Sequence, residues 1–115
     1  MNIKDFLQQH LELKNEIANK QTQINELEQL NINNPQITEL QRTLYKDLIK
    51  LIESRNEVLT RIYKIQDSKL RLLLVKRYIC GDTWGKISAD MNYSYVHVAH
   101  RLHKKALEEL EKIKL

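Results

Sequence analysis

Between Ser94 and Lys105 the chain reads SYVHVAHRLHKK, a run rich in hydrogen-bonding side chains and free of carboxylates. Wound as a helix, it presents Tyr95, His97, His100, Arg101 and Lys104 on an outward face. Neutral His and Tyr can donate or accept at base edges, Arg matches the paired acceptors of guanine, and Lys is a point charge suited to phosphate. Such a surface fits the floor of a DNA groove. The histidines at 97, 100 and 103 raise a metal site as the alternative. Positions three apart on a helix align only partly, however, and no nearby Cys, Asp or Glu completes a ligand set, so no metal is expected. Protonation of these histidines at mildly acidic pH would raise affinity for DNA as a side effect.

The acidic group Glu108, Glu109 and Glu111 lies beside Lys112 and Lys114 on the same helix tail, the pattern of a solvated face. No Gly-rich phosphate loop or nucleophile motif occurs, so the reading is of a protein without catalysis or cofactor. Tyr78 and Trp84 could stack on bases, but single aromatics at helix-packing positions are more often core.

The elements that must position this surface are helices. The 115 residues include only two Gly and one Pro, and they suffice for one compact domain plus an extension. Apolar residues recur at Ile3, Phe6, Leu13, Ile17, Ile24 and Leu27, with His10 and Lys20 on the same seam, predicting a first helix from Ile3 to Leu30. Asn31 to Pro35 should reverse the chain. A second helix from Pro35 carries Ile37, Leu44, Leu51, Val58 and Ile65 at seven-residue spacing, with Leu40, Leu48 and Ile62 beside them. Both helices span roughly 40–45 Å, matching in length as an antiparallel, coiled-coil-like hairpin. Tyr45, Ile52 and Leu59 add a further face to the second helix, to be covered by the C-terminal part or by a second copy.

Asp67-Ser68 offers a cap for a helix from Lys69 to Cys80 with Gly81 as its stop, although without a Pro or Gly the second helix can instead run through. Asp82 or Thr83 caps a short helix to Met91, Asn92-Tyr93 makes a turn, and Ser94 caps the last helix, which runs to about Ile113. Trp84, Ile87 and Met91 should face Val98 and Leu102, with Ala106, Leu110 and Ile113 continuing the inner stripe. Cys80 follows an apolar run and reads as a buried structural thiol.

Charge divides unevenly. Residues 1–66 hold nine Lys/Arg against nine Asp/Glu, and residues 67–115 ten against six, so the whole net charge of +4 lies in the second part. A neutral assembly arm (1–66) joined to a basic module (67–115) suits a nucleic-acid binder. The polar N-terminus does not resemble a signal peptide and no apolar run reaches membrane-spanning length, so a cytoplasmic protein without membrane contact is expected.

The stretch Leu70–Leu110 resembles region four of bacterial sigma factors, a helix-turn-helix that reads promoter DNA. The resemblance rests on Arg77-Tyr78, Gly81, Thr83-Trp84, Ile87, Met91, Tyr93-Ser94, Val98, Arg101-Leu102-His103 and Ala106-Leu107. Ser88 stands where that motif usually has Ala, and nothing here resembles sigma region two. In size the chain is similar to small Gram-positive phage and prophage regulators of the ArpU and RinA type. The resemblance implies an all-α protein, a hairpin followed by a sigma-region-four-like helix-turn-helix, that binds double-stranded DNA in phage transcription control. It implies Ser94, Tyr95, His97, His100, Arg101, Lys104 and Lys105 as the DNA-binding residues. The hairpin would serve homodimerisation or contact with RNA polymerase. A helical adaptor without DNA readout and a DNA-binding packaging factor are the alternatives.

Overall fold

The computed structural model describes residues 2–30 and 32–113, and these are all-helical, with no strand among them. Helix α1 spans Ile3–Gln9, α2 Leu13–Leu30 and α3 Pro35–Ile62. Helix α4 (68–79) ends in a wide π-helical turn, α5 spans Trp84–Met91, and α6 (95–111) contains a second π-helical turn at His97–Leu102.

The helix starts follow from local side-chain chemistry. Asn34 Oδ1 accepts from the Gln36 N–H at 2.8 Å, and Pro35, whose missing N–H costs nothing in a first turn, opens α3. Asp67 Oδ1 accepts from the Lys69 and Leu70 N–H groups, so the chain does break there rather than continuing from α3. Arg71 closes the intervening corner by donating to the carbonyls of Ile65 and Gln66, at 2.6 and 2.9 Å.

Helices α2 and α3 pack together, burying Ile17, Ile24 and Leu44 along a narrow seam. Lys20 Nζ lies 3.6 Å from Asp47, and the Tyr45 hydroxyl donates to Glu28, so low numbers on α2 meet high numbers on α3 and the pair is antiparallel.

The expected uninterrupted first helix is corrected. It breaks at His10–Glu12, where the His10 and Leu11 N–H groups bond three residues back to Leu7 and Gln8. His10 also uses Nδ1 to bond the Phe6 carbonyl at 2.7 Å and packs its ring 4.6 Å from that of Phe6. The break lets α1 leave the hairpin and dock against α6. Ile3 and Leu7 are thereby buried in one core with Val58 and Ile62 of α3, Leu70, Leu73, Leu74 and Tyr78 of α4, Ile87 of α5, and Val98, Ala106 and Leu110 of α6. Complete burial of a Leu side chain is favourable by about 2 kcal/mol. Docking of α1 on α6 secures that gain for Leu7.

Cys80 also differs from expectation. It is exposed at the end of α4, because the π-helical turn carries its N–H back to the Val75 carbonyl and Gly81 (φ 74°) turns the chain away from the core. Lys14 of α2 donates to the Cys80 carbonyl at 3.0 Å and ties the hairpin to this corner.

Candidate nucleic-acid interface

Helix α5 must end abruptly for α6 to cross it. Asn92 adopts the left-handed conformation (φ 59°, ψ 39°), and the Tyr93 N–H reaches back to the Ser88 carbonyl at 3.1 Å. Asn tolerates this backbone better than other residues with a Cβ, because its short polar side chain bonds locally. Ser94 then accepts the His97 N–H on Oγ at 3.2 Å and starts α6. Thr83 does the same for α5, accepting from the Lys86 N–H at 3.1 Å. Buried Ile87 and Val98 hold the two helices together, with Trp84, Met91 and Leu102 partly buried around them.

On this frame Ser94, Tyr95, His100, Arg101, Lys104 and Lys105 are exposed, while His97 is half-buried. Val96 joins the exposed set and is 61% accessible, next to Tyr95 at 52%. These apolar surfaces could meet a thymine methyl. The first turns of α6 therefore present hydrogen-bonding, cationic and apolar groups together, and residues 92–105 contain no Asp or Glu. Only His97 is held from the side: its ring packs 5.0 Å from Tyr93, whose hydroxyl accepts from Lys69 Nζ at 2.8 Å. Lys69 thus stands beside the turn as a further cation. Its place was not readable locally, since it is 24 residues from its partner.

The three histidines do not act as a set. His103 is buried at 8% exposure, although an α-helical reading of the inner stripe gives Leu102 that place. The reason is the π-helical turn: the His103 N–H bonds to the Val98 carbonyl, five residues back, which shifts the inward face by one position. Val98, His103, Ala106 and Leu110 form the buried stripe, and Leu102 moves to its edge. The Tyr78 hydroxyl donates to His103 Nε2 at 2.7 Å, and the Trp84 ring lies 4.6 Å away. Burial lowers the His103 pKa to about 4, assisted by the cations Lys4 and Arg77 and by His100, against a smaller opposing effect from its hydrogen bond with the Ala99 backbone. His103 is thus a neutral core residue, not part of a surface that charges in mild acid.

Around the interface, Arg77 stacks over Trp84 at 4.7 Å and donates to the Asp82 carbonyl, and Lys76 pairs with Asp90 at 3.2 Å. These contacts fix the angle at which α4 supports α5. Lys104 and Lys105 form no ion pair among the described residues, whereas Lys112 pairs with Glu109 at 3.3 Å. The free positive charge of α6 therefore lies in its middle turns, at Arg101, Lys104 and Lys105, just beyond Tyr95 and His100.

No helix among the described residues is long and apolar enough to cross a membrane. No protein-family model, curated protein or solved structure matches the chain.

Proposed function

We propose that the protein is a sequence-specific reader of double-stranded DNA, with α6 entering the major groove by its N-terminal turns. The observation that carries this reading is the exposed, carboxylate-free row Tyr95, His100, Arg101, Lys104 and Lys105, set on a helix that leaves a tight turn at Asn92. A recognition helix docks in this way, with its first turns over base edges and the preceding helix across the backbone. Tyr95, His97 and His100 then face bases, Arg101 a guanine, and Lys104 and Lys105 the phosphates. The N–H groups behind Ser94 add a phosphate contact at a helix N-terminus. The sigma-region-four resemblance of Leu70–Leu110 supports a role in transcription control, and the likeness in size to ArpU- and RinA-type regulators supports a phage or prophage setting.

This division of labour is testable by substitution. Arg101→Ala should remove base discrimination of about 1–3 kcal/mol at one position. Lys104→Ala should instead weaken cognate and scrambled duplexes alike, and reduce the salt dependence of binding by about one phosphate contact. Titrating both variants against both duplexes at several salt concentrations separates the roles. Equal losses on the two duplexes for Arg101→Ala would remove that residue from readout.

A second reading, a helical adaptor, has one observation in its favour. At the hairpin tip Leu27, Leu30, Leu40 and Leu44 line an open apolar groove. An adaptor would keep its activity in Tyr95→Ala and His100→Ala variants, which a DNA reader would not.

A further inference from the structure

Helix α3 carries two apolar stripes, and the fold uses one. Leu44, Leu48, Leu51, Val58 and Ile62 turn toward the rest of the chain, where Leu44, Val58 and Ile62 are buried. The other stripe, about a third of a turn around the helix, consists of Tyr45, Ile49, Ile52, Asn56, Leu59 and Tyr63. Tyr45, Ile49 and Tyr63 are 44%, 54% and 63% accessible, Asn56 is exposed, and Ile52 and Leu59 are half-buried.

The intervals along this stripe are 4, 3, 4, 3 and 4 residues. That is the a/d alternation of a two-helix coiled coil, and the chain itself covers it only in part: Ile52 and Leu59 are half-buried and Tyr45 bonds Glu28 of α2, while Ile49, Asn56 and Tyr63 stay exposed. In this register Ile52 and Leu59 occupy d, and Ile49, Asn56 and Tyr63 occupy a. A lone Asn at an a position is destabilising opposite an apolar residue and tolerated opposite another Asn, so it selects one register and one orientation.

We infer that the Tyr45–Tyr63 face of α3 is a homodimer seam, occupied by the same face of a second copy running parallel and in register, Asn56 against the partner's Asn56. Charge disfavours the opposite orientation rather than attracting the parallel one. Parallel pairing sets the g position Gln41 across from the partner's Lys46, while the next g positions, Leu48 and Arg55, turn toward their own chain. No like charges meet. The antiparallel pairing that aligns the same stripe brings Glu53 against the partner's Glu53 and Asn56 against the partner's Ile52, both unfavourable.

The seam runs about 27 Å along α3 and adjoins exposed Leu72, which lines a shallow apolar depression with Tyr63. Interfaces of this extent lie at the small end of specific contacts, roughly 1,200 Å² in total, so a dissociation constant on the order of micromolar is expected. The inference does not depend on DNA binding, and its test needs none.

Sedimentation velocity of the full chain across a concentration series should show a monomer–dimer equilibrium. Ile49→Glu and Tyr63→Glu change exposed residues, so both variants should keep the parent's helical circular dichroism while association weakens by about tenfold or more. Orientation is read by cross-linking Ile52→Cys, which leaves Asn56 in place, in a Cys80→Ser background under mild oxidation. Parallel, in-register pairing places the two thiols across the seam and gives a covalent dimer. In the antiparallel arrangement they are displaced by about 6 Å along the axis, beyond disulfide reach. A chain that remains monomeric at about a hundred times the expected micromolar constant, or a dimer indifferent to both Glu variants, overturns the seam. A dimer that does not cross-link through position 52 overturns the parallel register.

Discussion

Leu7→Ala is expected to destabilise the protein by about 3 kcal/mol, although Leu7 lies far from α6 in sequence and in a segment that reads as part of the hairpin. The side chain is fully buried, in a core that also holds Leu70, Leu73, Tyr78, Val98 and Leu110. Truncation removes apolar contacts and leaves a cavity between α1 and α6 that the rigid helix crossing cannot fill. Urea unfolding followed by circular dichroism measures the change, with Leu30→Ala as the reference, since Leu30 is 54% exposed and its truncation should alter stability by less than about 0.5 kcal/mol. Equal and small effects of the two substitutions would mean that α1 does not belong to this core. The functional consequence is direct: α1 braces the inner side of the helix whose outer side carries Tyr95, His100 and Arg101. Loss of α1 docking should therefore lower DNA affinity without touching a contact residue.

The second large effect is a loss of stability in mild acid. His103 is neutral in the folded protein, with its pKa lowered to about 4 by burial and by the neighbouring cations Lys4 and Arg77. In the unfolded chain it titrates near 6.5. Between these values the unfolded chain binds more protons than the native one, so stability falls as the pH drops through about 6.5 toward 4, and the loss is complete below the folded value. Going from pH 7 to pH 5 should remove about 2 kcal/mol. Protonation would also place a donor at Nε2, where the Tyr78 hydroxyl now donates, so that hydroxyl would have to turn and accept to keep the 2.7 Å bond. His103→Gln keeps a polar group in the site but cannot titrate, so its midpoint of urea unfolding should be much less sensitive to pH over this range. An unchanged pH dependence in the variant would assign the acid sensitivity elsewhere.

These two effects arise at the places where sequence and structure part. Helix boundaries are legible where a short polar side chain can satisfy the first N–H groups: Ser94 marks one and Asp82-Thr83 another, while Asp67 leaves a run-through helix open and the Asn34 cap before Pro35 emerges from the structure. It also shows the left-handed turn at Asn92, because few other residues accept that conformation. The outward placement of Tyr95, His100, Arg101, Lys104 and Lys105 follows from the same boundaries. The break at His10 is not legible, because no Gly or Pro marks it and Ile3 and Phe6 continue the spacing of Leu13 and Ile17. Only the long-range gain of burying Ile3 and Leu7 against α6 decides it. The burial of His103 is hidden for a different reason. A five-residue step inside a helix shifts the inward face by one position, and an α-helical period then assigns the core place to Leu102. The seam on α3 was half visible through Tyr45, Ile52 and Leu59. Its full heptad, with Asn56 at the centre, emerges once the fold shows which residues the chain itself covers.

The claim that α6 reads DNA is tested most directly by selecting binding sites from a pool of random duplexes with the full chain near physiological salt. The account predicts enrichment of one short motif, and a two-fold symmetric pair of such motifs if the dimer seam operates on DNA. Recovery of no motif, with weak binding that disappears as salt rises, would contradict it.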